Sequence, residues 1–425
     1  MLNGVVFKIK ETILKSDFNR NVLILSGGTV ISQIINVAVS PILTRIYKPE
    51  SFGLFSLYFS LFSLVSLITT LRYELSIMLP KKKEDAFNIL ILCLILSLFS
   101  SLILFVIAFI YDKKNLNLFI KYNIKNLLYY VALNIAVVGI YNSLCYWNNR
   151  KKNYKVIANS KIIQSLTTAL IGTGLGFLGL YDNGLILATI LGWMIATILL
   201  AVKFLKDDIN LFKSINRIKI FVLVKKYKKM PIFNLPNAVF DGIRMLGINI
   251  LIVSYYTSET LGQYFLALRI LQLPASIIGS SLSQVLLQKL ATTNKNNIGD
   301  TIIKFVINAL YVITPVFIFI YFFADNVFPF VFGEKWRLAG EIASILTPWL
   351  LVNFLSSPIS NVFIVLNKQE FMLTFSIFYT LLPILILYFF HSLEFASMLK
   401  IMSLSMTLML VIFIAMAIFI AKRSK

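Results

Sequence analysis

Long apolar stretches separated by short polar turns recur along nearly the whole chain. Twelve of them reach the roughly 20 apolar residues that a helix needs to cross a bilayer: 22–44, 51–71, 86–110, 127–146, 162–181, 184–202, 231–256, 260–288, 301–324, 340–366, 370–390 and 394–421. Each is predicted as a transmembrane helix. The first has neither a short apolar region nor a small-residue cleavage site, so it is expected to be retained as a span and not removed as a signal peptide. Residues 5–18 interleave Val5, Val6, Phe7, Ile9, Ile13, Leu14 and Phe18 with Lys8, Lys10 and Lys15, a pattern suited to a helix lying in the membrane interface.

Composition supports the same class. Of the 425 residues 58% are hydrophobic and 14% charged, against about 45–50% and about 25% in soluble proteins. A soluble fold could not cover that much apolar surface. The fold class is therefore an all-α integral membrane protein. One His and two Cys exclude a His-built metal site, a His-based catalytic triad and a disulfide scaffold. Cys93 and Cys145 are expected to be small apolar fillers.

The net charge of +22 is topological. About 27 of the 40 Lys and Arg fall on one alternating set of segments, with nine in 203–230 alone, and about 8 on the other. The positive-inside rule places both termini in the cytoplasm. The basic loops then face anionic lipid headgroups, and their dispersal argues against nucleic-acid binding.

An internal repeat divides the chain. Tyr47, Glu50, Gly53, Phe55 and Leu57 match Tyr256, Glu259, Gly262, Tyr264 and Leu266 at a constant offset of 209. Six spans separate the copies, so both halves run in the same direction, a parallel repeat about an axis along the membrane normal. The expected division is an N-terminal lobe at 1–202, a basic cytoplasmic linker at 203–230 and a C-terminal lobe at 231–425.

Several polar residues stand out within the spans. Ser26, Thr29, Gln33, Asn36 and Ser40 form a stripe on span one, and Ser56, Ser60, Ser63 and Ser66 with Thr70 form another on span two. They suit a hydrated cavity or hydrogen bonding between helices. Ionisable groups at bilayer depth cost about 2.5–3.5 kcal/mol each, so Asp241, Arg244 and Arg269 are candidate site residues. Arg244 lies about 20 Å from one surface and Arg269 about 14 Å from the other. Asp241 and Arg244 are one helical turn apart and can pair, but two Arg and one Asp leave a surplus positive charge. A planar guanidinium suits a phosphate group. Pro231, Pro236, Gly242 and Gly247 suggest that span seven is interrupted near the site. Arg72 and Glu74, ending span two, are either a cavity mouth or boundary charges.

The runs LSGGTVISQIINVAVSPILTRIYKPESFGLFSLYFS (25–60) and LRYELSIMLPKKKEDA (71–86) resemble the start of the Wzx-type polysaccharide-unit flippases. These belong to the superfamily of MATE exporters and lipid II flippases. FNLPNAVFDGIRMLGINILIVSYYTSETLGQYFLALRILQLPASIIGSSLSQVLLQKLA (233–291) resembles their second-half signature. The resemblance implies a two-lobe V-shaped fold with twelve helices. It also implies passage of undecaprenyl-diphosphate-linked oligosaccharides across a bacterial inner membrane for O-antigen, capsule or a related glycan. By that resemblance Arg244 and Arg269 bind the lipid-linked diphosphate; from their own placement Asp241, Arg72, Gln33, Asn36 and Ser60 join them as expected substrate-binding residues, and a glycan polymerase and a chain-length regulator are expected partners. No catalytic residue, cofactor or metal is implied; a proton, a sodium ion or the membrane potential are candidate drivers. Two features depart from the relatives: Gln33 and Asn36 stand where some MATE exporters carry an acidic residue, and no Arg lies at mid-membrane in the N-terminal half. The rival functions are a cation-coupled multidrug antiporter on the same fold and a membrane glycan polymerase or ligase. The second lacks the large outer loops with clustered His or carboxylates that such chemistry needs.

Overall fold

A computed structural model describes residues 17–113, 124–273, 282–283, 286, 290, 293, 297–366 and 368–423. Residues 1–16, which hold most of the expected interfacial helix, lie outside them. The described residues form helices joined by short turns, with no strand among them. The helices are α1 (Asp17–Ile46), α2 (Pro49–Thr69), α3 (Lys83–Lys113), α4 (Ile124–Arg150), α5 (Tyr154–Phe177), α6 (Gly184–Asp208) and α7 (Arg217–Lys226). There follow α8 (Leu235–Tyr255), α9 (Ser258–Leu271), α10 (Ile298–Phe332), α11 (Arg337–Ile359), α12 (Asn361–Val365), α13 (Gln369–Phe389) and α14 (Phe395–Arg423). Eleven of the twelve expected spans coincide with these helices to within a few residues, the span at 340–366 with α11 and α12 together and that at 231–256 with α8 and the turn before it. Ten of the described helical segments are long and apolar enough to cross a membrane. The span at 260–288 is described as a helix only as far as Leu271.

Helix ends differ from expectation at two places that bear on function. The helix of span five starts at Tyr154 and not at 162, because Tyr154-Lys-Val-Ile-Ala-Asn-Ser continues the apolar side of the following turns. Span seven is interrupted only at its start, by a π-helical turn at Met230–Asn234 holding Pro231. From Leu235 it runs unbroken through Gly242 and Gly247, whose missing side chains let Ile384 of α13 approach at Gly247.

By its contacts the chain forms two compact units, Met1–Val39 with Leu61–Pro236, and Ser40–Ser60 with Asn237–Lys425. In the first, Phe87, Trp147, Phe204 and Leu223 are buried in one apolar cluster. Phe87 stands edge-on to Trp147 at 5.7 Å and stacks on Phe204 at 5.9 Å. Cys93 is buried in that cluster and Cys145 packs against it, both as free thiols. The carboxylate of Asp208 closes the end of α6, accepting from Trp147 Nε1 (2.8 Å), Lys151 Nζ (2.8 Å) and Lys83 Nζ (3.1 Å).

In the second unit the two copies of the repeat touch. A Cβ on Gly53 would stand 2.0 Å from the Ser258 carbonyl oxygen, and one on Gly262 would stand 1.8 Å from that of Pro49. The offset of 209 turns Gly53 into Gly262 and Pro49 into Ser258, so the two contacts are images of each other. Such reciprocity is what a local two-fold axis produces. Only glycine permits helices α2 and α9 to approach so closely. Around this crossing Trp336 Nε1 donates to the Thr44 carbonyl (3.0 Å) and Asn249 Nδ2 to Ser56 Oγ (3.0 Å).

Candidate functional site

Arg244 lies nine residues into α8, about 14 Å along its axis and near the middle of the helix. Asp241, one turn earlier, accepts an ion pair from Arg244 Nη2 at 3.1 Å. The face of the guanidinium lies 4.4 Å from the centroid of the Tyr379 ring, carried on α13. A cation over an aromatic face is held by the ring quadrupole, the more strongly where water is excluded. Trp349 of α11 fixes that ring by donating its Nε1–H to Tyr379 Oη at 2.7 Å, and Phe375 stacks on it at 5.5 Å. Tyr379, Trp349 and the neighbouring Tyr264 are buried. The helix pair is further tied by Thr380, whose hydroxyl donates to the Phe240 carbonyl (3.3 Å).

One donor of this guanidinium is unused. Arg244 Nη1 is buried without a hydrogen-bond partner among the described residues. Leaving a charged donor unmet inside a protein is costly, and it is met when an acceptor arrives. The pair is not sealed: the Asp241 side chain is 72% exposed and that of Arg244 21%. An exposed carboxylate at that depth belongs on a hydrated surface and not against acyl chains.

Arg269 sits in the last turn of α9, about 16 Å along the helix from its start, and is half-buried. It has no ion-pair partner among the described residues. Gln263 anchors α9 by donating to the Lys335 carbonyl (2.6 Å) and accepting from Ala339 N (3.0 Å). The structure brings together Asp241 and Arg244; no contact joins either to Arg269 among the described residues.

The other expected residues are dispersed. Gln33 and Asn36 are half-buried on α1. Ser60 is fully buried, and its hydroxyl donates to the Leu57 carbonyl of its own helix (3.0 Å). Ser66 does the same to Ser63 (2.8 Å), so these hydroxyls on α2 are already engaged. Arg72 follows Leu71 in the left-handed region, at φ 62° and 51°. Its guanidinium stands 3.8 Å from Glu74, which also accepts from the Thr70 hydroxyl. Arg150 clamps the segment beyond, donating to the carbonyls of Ile77 (3.2 Å) and Pro80 (2.6 Å).

The structure adds three residues that sequence reasoning missed. Tyr379 and Trp349 complete the Arg244 cluster; aromatic residues at helical spacing in an apolar span carry no signal that singles them out. The third is Lys161. Because α5 begins early, Lys161 lies about 10 Å inside a helix and its Nζ donates to Thr29 Oγ1 of the α1 stripe at 3.0 Å. The N-terminal half, read as holding no Arg at mid-membrane, thus carries a lysine beside the polar stripe of α1. The apolar run IIQSLTTALIG directly after Lys161 was the available clue.

Comparison with known proteins gives one family and one fold. A model for "Polysaccharide biosynthesis protein" matches residues 42–340, and the chain belongs to that family. A search of the curated proteins finds no match. Among solved structures, an inward-facing MATE multidrug transporter of the MOP superfamily superposes with a TM-score of 0.68 at 16% identity, covering 92% of this chain and 94% of that one. The lipid II flippase MurJ in an inward closed conformation gives 0.71 at 15% identity, covering 94% and 90%. A MOP superfamily transporter from Pyrococcus furiosus, described as having a binding pocket of reversed polarity, gives 0.59 at 16% identity, covering 96% and 95%. The chain thus has the all-helical MOP fold, in agreement with the resemblance read from residues 25–86 and 233–291. The superposed proteins are, by their descriptions, transporters and a flippase.

Proposed function

We propose that the protein is a flippase for undecaprenyl-diphosphate-linked oligosaccharide units, moving them by alternating access from the cytoplasmic to the outer leaflet of a bacterial inner membrane, with both termini cytoplasmic. The observation that carries this reading is the Arg244 guanidinium, held on a ring by Tyr379 and Trp349 with one buried donor unmet. A diphosphate supplies the acceptor that donor lacks, and a pre-set fork binds it without ordering a flexible chain. Arg269 adds a second cation for the remaining phosphate charge. Asp241 positions Arg244 and lowers the local net charge, so the lipid headgroup is attracted yet released. Membership of a polysaccharide biosynthesis family supports a glycan cargo.

A second reading, export of organic cations, draws on the exposed Asp241 carboxylate and on the MATE neighbour. It is weaker, because that carboxylate is already paired with Arg244, and spans seven and eight together carry two Arg against one Asp.

The test is export in cells. Arg244→Ala and Arg269→Ala are expected to abolish surface glycan while the protein still inserts and accumulates at wild-type levels. Normal glycan in both variants contradicts the assignment, and loss of cation-drug resistance with intact glycan favours the second reading.

A further inference from the structure

The segment 209–230 holds seven basic residues, Lys213, Arg217, Lys219, Lys225, Lys226, Lys228 and Lys229, and no acidic one. Within it α7 (Arg217–Lys226) is capped at its start by Asn216, whose side chain accepts from Ile218 N (2.9 Å) and Lys219 N (3.1 Å). The helix is fastened to the first unit along one face. Leu223 is buried among Phe87, Trp147 and Phe204, with Val224 and Tyr227 packed beside it. Tyr73 Oη donates to the Val224 carbonyl at 3.2 Å, and burial pushes the Tyr73 hydroxyl above its ordinary pKa, so it stays a donor. Upstream, Asn88 donates to the Ser214 carbonyl (3.0 Å) and accepts from Asn216 N (2.9 Å), fixing where the helix begins.

At about 100° per residue, Ile220, Leu223, Val224 and Tyr227 make the inward face. Ile218, Phe221 and Val222 point the opposite way, and they are 76%, 61% and 56% exposed. A helix whose outer side met only water would carry polar residues there. This one carries three large apolar side chains, flanked by Arg217, Lys219 and Lys226. Lys225 lies among them with its Nζ 4.5 Å from the Phe221 ring centroid, its stem along the apolar patch and its charge at the edge. The helix starts nine residues beyond the end of α6, a membrane-spanning helix, which tethers it at the bilayer surface.

We propose that α7 docks on the anionic phospholipid headgroups of the leaflet at this end of α6, with Ile218, Phe221 and Val222 in the acyl boundary and the flanking cations on phosphate oxygens. An amphipathic helix in the interface is stabilised by both terms together. Charge complementarity selects this occupant. A second copy would bring the same seven cations against these, and an acidic soluble partner would leave the apolar patch wet. The segment joining the two halves of the chain is then held in the membrane plane by lipid as well as by Leu223.

Spin labels test this in the full-length protein, on a Cys93→Ala/Cys145→Ala background, reconstituted in phosphatidylcholine vesicles with or without phosphatidylglycerol. Labels are placed at Ile218→Cys and Phe221→Cys, with Ile220→Cys as the inward control. In the anionic vesicles, oxygen should reach the two outer labels better than a water-soluble nickel chelate does. That preference should fall about fivefold or more in Lys219→Gln/Lys225→Gln/Lys226→Gln, as expected when cation–headgroup attraction is lost, and likewise in pure phosphatidylcholine. The Ile220 label should stay shielded throughout, showing that the helix keeps its place. Outer labels open to the nickel chelate in anionic vesicles overturn the proposal, as do outer labels shielded from both reagents, which would mean a protein cover. Lipid exposure indifferent to lipid charge also overturns it.

Discussion

Arg244 has neighbours that differ in kind: a carboxylate at one edge, an aromatic face beneath, and no partner at Nη1 among the described residues. The ion pair was legible in the sequence, since Asp and Arg three apart on one helix must share a face. The ring was not, because Tyr379 comes from a helix 135 residues away. The pairing alone does not separate a structural role from a binding one; a double variant does. If Arg244 served only to neutralise Asp241, Arg244→Gln/Asp241→Asn would restore the export that Arg244→Gln loses. We expect glycan export to stay absent in the double variant, because on the proposed reading the lost group is the phosphate ligand. Arg244→Lys should also fail, since a point charge cannot reproduce a stacked planar fork. Trp349→Phe, which removes the hydrogen bond that aims Tyr379, is expected to cost about 1 kcal/mol of stability, readable as a lowered thermal midpoint, and to reduce export only in part.

The helices themselves were legible because bilayer thickness imposes a length on them, and polar turns punctuate each one. Their ends were less so. The start of α5 is set by residues 154–160, which are too polar to count as a span yet continue its inner face, and that difference moved Lys161 from a loop onto a helix, beside Thr29 of the α1 stripe. The repeat at Gly53 and Gly262 was visible as an offset, but that the two copies pack on each other depends on backbone approach, which no pattern of apolar positions encodes. Gly53→Ala and Gly262→Ala should each destabilise the protein by about 1–3 kcal/mol, as overpacking does. Because the clashing atoms are reciprocal backbone carbonyls, the two variants should lower the thermal midpoint by similar amounts; a neutral result at either site contradicts the close crossing. At the end of α6, Asp208→Asn removes the charge that gathers Lys83, Lys151 and Trp147. Limited proteolysis should then cut residues 209–230 faster than in the wild type.

For the whole molecule, apolar content placed the chain in a membrane before any motif was considered, while the MOP fold was implied by the resemblance of residues 25–86 and 233–291 and is shown by the superposed structures. Cargo was less legible. The surplus positive charge in spans seven and eight pointed to an acidic ligand, but its shape depends on tertiary neighbours and its glycan on family membership. Fold alone leaves drug export and lipid flipping side by side, since both occur among the superposed structures. On the proposed reading, what separates them is the sign of the ligand that Arg244 binds. The most direct measurement is the affinity of the purified protein for undecaprenyl diphosphate and for undecaprenyl monophosphate, compared with that of the Arg244→Gln/Arg269→Gln variant. The account predicts a preference for the diphosphate of about tenfold or more, one extra charge-assisted contact being worth about that factor, and its disappearance in the variant. Equal affinity for the two lipids, or a preference that survives loss of both guanidinium groups, would contradict it.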